Sequence, residues 1–142
     1  MEIKDLMNRK VNEIMTRQVL TTRPEALVRD VARRMALMKI GASVVVNDQE
    51  KVVGIFTERD LLKYFVAQGD NAKSITIEEA MTKSPVTLGR DEDMTALLQS
   101  MESGKFRHLP VVHDGKLVGI VSIRDAFKML GELVQLVVKA EA

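Results

Sequence analysis

A chain of 142 residues suits one compact domain of roughly 100–200 residues, and its 46% hydrophobic and 29% charged content is that of a globular protein rather than a disordered one. The net charge of +1 gives no global attraction to nucleic acid or to anionic membranes. Cysteine is absent, which removes disulfides, thiolate metal sites and cysteine nucleophiles and fits a cytoplasmic location.

No apolar run approaches the ~20 residues of a membrane span, and the charged opening "MEIKDLMNRK" does not read as a secretory signal. In chain order, Met7, Val11 and Ile14 form an apolar N-terminal set, and Gln18–Thr22 reads as a short entry strand. Leu27, Val28, Val31, Met35 and Met38 fall at helical spacing, with Gly41 as the expected stop. Ser43–Val46 and Val52–Phe56 read as strands joined by the loop Asn47–Glu50, and a helix follows over Asp60–Ala67, closed by Gly69. After a polar link, Ser84–Leu88 is a second entry strand. Met94, Leu97, Leu98 and Met101 mark a helix stopped at Gly104. Leu109–Val112 and Leu117–Val121 are strands around Asp114-Gly115, a strong two-residue hairpin signal, and a final helix runs from Asp125 to about Lys139.

The second half repeats the first. "EIMT" at Glu13–Thr16 answers "EAMT" at Glu79–Thr82, "SVVVND" at Ser43–Asp48 answers "LPVVHD" at Leu109–Asp114, and "VVGIFTERD" at Val52–Asp60 answers "LVGIVSIRD" at Leu117–Asp125. The offset is 66 residues before the hairpin turn and 65 after it. That is too long for a solenoid repeat of roughly 20–50 residues and reads as two copies of one unit. Each copy is β-α-β-β-α. One copy cannot cover both faces of its own small sheet, so the expected fold is α+β, with two pseudo-twofold-related repeats packed through their sheets. The divisions are 1–67 for the first repeat with its N-terminal segment, 68–76 for the linker, and 77–142 for the second repeat with its longer C-terminal helix.

The repeated strand-to-helix junction carries most of the chemistry, and it has two readings. Thr57-x-x-Asp60 and Ser122-x-x-Asp125 are capping-box patterns that satisfy the orphan N–H groups of a helix start. A helix N-terminus also suits a phosphate, and an ionised aspartate accepts two hydroxyl donors, as a ribose diol offers. Arg59 and Arg124 are solvated ion-pairing arginines or phosphate contacts. Lys105, Arg107 and His108 form a basic cluster before a strand. The matching places in the first copy hold Lys39, Gly41 and Ala42, with less charge. His108 and His113 are the only histidines and sit five apart across a strand, which argues against a histidine metal site. No Ser/His/Asp spacing, Walker-type loop or GxGxxG is present, so an enzyme has no residues to stand on. Aromatic content of 4% argues against a base-stacking nucleic-acid surface.

The paired β-α-β-β-α units, the "MT" near each start, the "VGI-x-[ST]-x-R-D" close and "FRHLPVV" together resemble tandem cystathionine β-synthase (CBS) domains, a Bateman module, over roughly Val11 to Leu130. The resemblance implies a stand-alone, non-enzymatic regulatory pair. Its ligand would be adenosine-based, such as AMP, ADP, ATP, S-adenosylmethionine or a dinucleotide, acting as a regulatory ligand and not as a required cofactor. It implies that the aspartate holds the ribose and that ligands lie in clefts built across the repeats. One cleft would join Ile55, Thr57, Arg59 and Asp60 to Pro85, Val86, Lys105, Arg107 and His108. The other would join Ile120, Ser122, Arg124 and Asp125 to Val19, Leu20, Lys39, Gly41 and Ala42. Val86 or Leu20 would sandwich the adenine. A homodimer is expected from the wide apolar stripe of the last helix (Phe127, Leu130, Val134, Val137 and Val138, widened by Met129, Leu133 and Leu136) together with Met7, Val11 and Ile14. The signal would pass to a separate effector protein. The alternative is a protein- or nucleic-acid-interaction module with vestigial clefts.

Overall fold

The computed structural model describes residues 2–104 and 107–141. In chain order the elements are α1 (Ile3–Met7), α2 (Val11–Ile14), β1 (Thr21–Thr22), α3 (Val28–Met38), β2 (Ala42–Val46), β3 (Val52–Thr57) and α4 (Glu58–Gln68). A 3₁₀ segment, Gly69–Ser74, leads to α5 (Ile77–Ala80), β4 (Thr82–Lys83), β5 (Leu88–Gly89), α6 (Met94–Gly104), β6 (His108–His113), β7 (Lys116–Ser122) and α7 (Ile123–Glu141). The fold is mixed α+β with two small sheets, of order β1-β2-β3-β4 and β5-β6-β7. The chain forms two compact units, one drawn from Met1–Gln18, Val86–Asp114 and Val118–Ala142, the other from Val19–Pro85 and Gly115–Leu117.

The repeat read from the sequence holds down to strand register. A shift of 66 residues carries the parallel pair Thr22↔Val45 onto Leu88↔Val111. The strands Val52–Phe56 and Leu117–Val121 occupy equivalent positions, as the repeat requires: β3 pairs Ile55↔Thr82 antiparallel, and β7 pairs Ile120↔Thr16 the same way. The "MT" segments therefore do not pack on the repeats they begin. Met81-Thr82 closes the sheet holding β3, and Met15-Thr16 lies on the sheet holding β7.

A single contact explains both repeated motifs. A Cβ placed on Gly119 would lie 2.5 Å from Met15 Sδ and 3.0 Å from the Thr16 carbonyl oxygen; one on Gly54 would lie 2.9 Å from Met81 Cγ. The glycine of "VGI" is bare so that the methionine of "MT" can lie against the strand.

Each unit has its own core. Leu20, Val28, Val31, Met35, Val45, Phe56, Ile77 and Ala80 form one. Leu6, Val11, Met15, Leu88, Met94, Leu97, Leu109, Val111, Val121 and Met129 form the other. The N-terminal apolar set is thus not surplus surface: Val11 is fully buried, and Met7 and Ile14 pack against the core beside it. Burial also divides the stripe of α7. Met129, Leu133 and Leu136 face the core, while Phe127, Leu130, Val134, Val137 and Val138 are exposed.

Several element ends differ from expectation for local reasons. Helix α3 stops at Lys39, not at Gly41: Lys39 takes the left-handed conformation (φ 56°, ψ 43°), and the Ile40 N–H reaches back to the Met35 carbonyl at 3.0 Å. Helix α4 starts at Glu58 and α7 at Ile123, each two residues before the expected aspartate, because the aspartate caps the first turn from inside it. The hairpin Asp114-Gly115 has positive φ at both residues, as a tight two-residue turn requires. The longer loop is held by Asn47, whose Oδ1 accepts from the N–H groups of Gln49 and Lys51 at 2.9 and 3.0 Å. The link after α4 is also tied down, since the Ile75 carbonyl accepts the Val28 N–H at 2.9 Å.

Overpacking a close contact typically costs about 1–3 kcal/mol. Gly119→Ala should fall at the upper end of that range in urea unfolding, because it meets a backbone carbonyl. Gly54→Ala should fall at the lower end, because only the flexible Met81 side chain must move. Equal losses would show that the carbonyl contact is not the constraint.

Candidate functional site

The two strand-to-helix junctions are built alike within their units. Thr57 is extended (φ −118°, ψ 168°) and ends β3 at the cap of α4. Its N–H and its hydroxyl both donate to Asp60 Oδ2, at 2.9 and 3.1 Å, and the Asp60 N–H donates back to Thr57 Oγ1 at 3.3 Å. In the other unit the Ser122 N–H and hydroxyl donate to Asp125 Oδ2 at 2.8 and 3.3 Å. The capping reading of the motif is therefore correct. It uses one carboxylate oxygen: among the described residues the hydrogen bonds go to Oδ2, and Oδ1 of each half-buried aspartate remains for another donor. A cap of this kind fixes the carboxylate without consuming it.

Each helix start is also pinned to a strand edge. The Glu58 N–H donates to the Gly41 carbonyl at 3.1 Å, and the Ile123 N–H to the Arg107 carbonyl at 2.8 Å. One unit thereby gathers Lys39, Gly41 and Ala42 about the junction of Thr57, Arg59 and Asp60, with Ile55 buried on β3 and Val19, Leu20 and Pro85 at its entry and exit segments. The other gathers Arg107 and His108 about the junction of Ser122, Arg124 and Asp125, with Ile120 on β7 and Val86 on its entry segment. Arg59, Arg107 and Arg124 are exposed and His108 is half-buried. Lys105 lies outside the described residues.

The entry segments differ more than their sequences suggest. Leu20 is 2% exposed and belongs to its unit's core, with its carbonyl accepting from Val44 N–H at 2.9 Å and Ser43 Oγ at 3.2 Å. Its counterpart Val86 is 44% exposed. It borders an open depression of about 450 Å³ lined by Glu92, Ala96, Gln99, Ser100, Ser103 and Gly104. Of these only Gly104 stands out in the sequence; Gln99, Ser100 and Ser103 carry no pattern beyond that of an ordinary exposed helix face. Among the described residues no cluster of His, Asp and Glu could hold a metal ion, and no helix is long and apolar enough to cross a membrane.

The family model for the CBS domain matches residues 11–67 and again 77–132. An uncharacterised 17.7 kDa protein of Acidianus ambivalens is 38% identical over 125 residues, covering 87% of this chain and 74% of that protein. An uncharacterised protein of Methanopyrus kandleri is 33% identical over 84% of this chain, which spans 61% of that longer relative. Among solved structures, a CBS-domain containing protein of Agrobacterium tumefaciens superposes with a TM-score of 0.78 at 36% identity, over 87% of this chain and 94% of that one. The CBS domain pair of protein MJ0100, in complex with 5′-methylthioadenosine and S-adenosyl-L-methionine, gives 0.78 at 30% identity over 87% and 97%. The protein CBSX2, in complex with AMP, gives 0.75 at 25% identity over the same shares.

Two substitutions check the local construction. Losing an N-cap hydroxyl costs about 1 kcal/mol. Thr57→Ala should show that loss in urea unfolding, and Ser122→Ala a smaller one, because Ser122 Oγ makes only the longer donation to its aspartate. Lys39→Gly should stabilise by about 0.5–1 kcal/mol, since glycine removes the Cβ cost of the left-handed helix end. A destabilised Lys39→Gly would mean that the lysine side chain carries weight at that corner.

Proposed function

The chain belongs to the CBS domain family, as a tandem pair of the regulatory kind, and from that premise we propose that it senses an adenosine ligand through Asp60 and Asp125. What carries this reading is the pair of capped aspartates, each with one oxygen anchored in the helix start and one left to a ligand hydroxyl. An ionised carboxylate oxygen accepting from a ribose diol makes a charge-assisted bond, stronger than a neutral one. The N–H groups of the same helix turn favour an anion nearby. The MJ0100 pair with its two adenosine compounds and CBSX2 with AMP support the ligand class. The reading requires no cofactor and no bond-making step: binding changes the geometry of the pair, and a separate effector protein responds. It includes a homodimer of two such chains, supported by the exposed apolar faces of the helices.

The two aspartates are not offered the same neighbours. In the crossed assignment implied by the family resemblance, Ile55, Thr57, Arg59 and Asp60 work with Pro85, Val86, Lys105, Arg107 and His108. Ile120, Ser122, Arg124 and Asp125 work with Val19, Leu20, Lys39, Gly41 and Ala42. On that assignment the first set would draw cations from the strand edge of the other repeat and the second only glycine and alanine, the reverse of the hydrogen-bonded neighbours within each unit, where Gly41 stands beside Thr57–Asp60 and Arg107 beside Ser122–Asp125. The first set's Val86 is open to an adenine ring where Leu20 is held in the core. A hydrogen bond to a charged group contributes about 1.5–3 kcal/mol, so losing one weakens phosphate binding roughly ten- to a hundredfold. A phosphorylated adenosine therefore prefers the Asp60 site, and the Asp125 site takes a less charged one.

Thermal melting with AMP, ATP or S-adenosylmethionine tests the class. A ligand present at about 100 times its dissociation constant stabilises by about 2.7 kcal/mol, and no shift with any of the three at millimolar concentration would remove the sensor reading. Titration calorimetry on Asp60→Ala and Asp125→Ala, each first shown to be folded, tests the assignment. The tight AMP or ATP site should vanish in Asp60→Ala and survive in Asp125→Ala. The reverse result would overturn the crossed assignment.

A further inference from the structure

The two hairpins meet at a pair of like charges. Lys51, directly before β3, and Lys116, the first residue of β7, occupy the same position of the two repeats. They face each other in an antiparallel bridge. The flanking hydrogen bond runs from the Leu117 N–H to the Glu50 carbonyl, at 3.5 Å, which makes Lys51 and Lys116 a non-hydrogen-bonded pair. That is the closer kind of pair, with Cα atoms about 4.5 Å apart and side chains on one face. Like charges directly opposite are destabilising, and both residues are exposed. Gly115–Leu117 group with the first hairpin in one compact unit, so the bridge belongs to that unit.

The position of the Lys51 side chain sharpens the conflict. A Cβ on Gly115 would lie 3.6 Å from Lys51 Cε and 3.6 Å from its Nζ. The stem therefore lies over the neighbouring turn and brings its ammonium beside the residue preceding Lys116, instead of carrying it away from the second cation. No carboxylate draws it there. Glu50 pairs with Arg23 at 2.9 Å and Asp114 with His113 at 3.4 Å. No ion pair among the described residues includes Lys51 or Lys116.

We propose that Lys51 and Lys116 bind a free, doubly charged tetrahedral oxyanion, of the phosphate or sulfate class, between their ammonium groups. One dianion balances both charges, and its equivalent oxygens give each ammonium an acceptor. Charge-assisted hydrogen bonds of this kind are about twice as strong as neutral ones. A singly charged ion such as chloride balances only one of the two. The site is separate from the capped aspartates. Lys51 stands at the start of β3 and Thr57 at its end, about 20 Å away at ~3.3 Å per residue. Lys116 and Ser122 stand at opposite ends of β7. An anion here is independent of any adenosine at Asp60 or Asp125.

Thermal melting in inorganic phosphate, against sodium chloride of equal ionic strength, tests the site. Phosphate and sulfate also stabilise proteins by exclusion from their surface; that rise does not saturate and is common to all variants. The unmodified chain should show in addition a saturable rise in melting temperature at low millimolar phosphate. Lys51→Met and Lys116→Met keep the stem and remove the charge. Each should weaken that binding about tenfold or more, since one charge-assisted hydrogen bond is lost. In chloride both variants should melt above the unmodified chain, because the repulsion is gone. Lys83→Met, which removes an exposed charge outside the bridge, should leave the phosphate effect unchanged. A rise without saturation in the unmodified chain would mean exclusion only and overturn the proposal. A saturable rise kept in both Lys51→Met and Lys116→Met would put the anion elsewhere and overturn it too. Either of these variants melting below the unmodified chain in chloride would show that the two ammonium groups do not repel, which removes the reason for an anion between them.

Discussion

The contact between a bare strand and a methionine holds the rest in place. Gly54 and Gly119 lack a side chain where Met81 and Met15 lie. The strand-end pairs Ile55↔Thr82 and Ile120↔Thr16 form directly beside those contacts. Once β3 and β7 are fixed from that side, their last residues, Thr57 and Ser122, enter the following helices at a set angle. The aspartate three residues on can then be capped only one way. A methyl group at Gly119 would act two residues from Val121, which is fully buried in the unit's core, and three from the cap residue Ser122. The construction thus links a packing constraint to the orientation of a carboxylate within half a strand's length.

Capping and the proposed ligand binding look like competing uses of Asp60 and Asp125, and the geometry leaves room for both. A carboxylate has two oxygens and several lone pairs. The helix start takes Oδ2 through two donors, which fixes the plane of the group, and the other oxygen is held out from a rigid base. Less ordering then remains for a ligand hydroxyl to bring about, and preorganisation of this kind favours affinity. The junctions are not identical. Thr57 closes the box in both directions, whereas among the described residues Ser122 only donates. The first junction thus has one capping bond more, from the Asp60 N–H, while each carboxylate accepts the same pair of donors.

The repeat, the strand pairs, the hairpin at Asp114-Gly115 and the cap motif are legible in the sequence because each is local or is written twice. The capping box spans four residues, and its meaning does not depend on what packs above it. The partnership of "MT" with "VGI" is not legible: both motifs are visible, but their contact joins Met15 to Gly119 across the length of the chain, and no period encodes it. The end of α3 escapes a sequence reading for a related reason. Glycine is the usual left-handed residue at a helix end, yet here Lys39 adopts that conformation while Gly41 supplies a carbonyl to the start of α4. Nor does composition reveal that Leu20 and Val86, equivalent in the repeat, differ so widely in exposure.

Duplication followed by selective change gives a simple account of where function resides. The two copies agree wherever agreement keeps the frame: the glycine, the methionine, the hydroxyl cap, the aspartate and the strand register. They differ at the edges of that frame. Gly41-Ala42 stands against Arg107-His108 at the strand start, a loop clamped by Asn47 against a two-residue turn, and an 11-residue helix against one of 19. The shared positions have partners that a change would disturb within the same unit, so they vary at a cost in stability. The differing positions are exposed or half-buried for the most part, where substitutions away from special features shift stability by only about 0.5 kcal/mol. Such positions were open to becoming unequal in charge and in apolar surface, as the strand starts Gly41-Ala42 and Arg107-His108 and the exposed stripe of α7 have become.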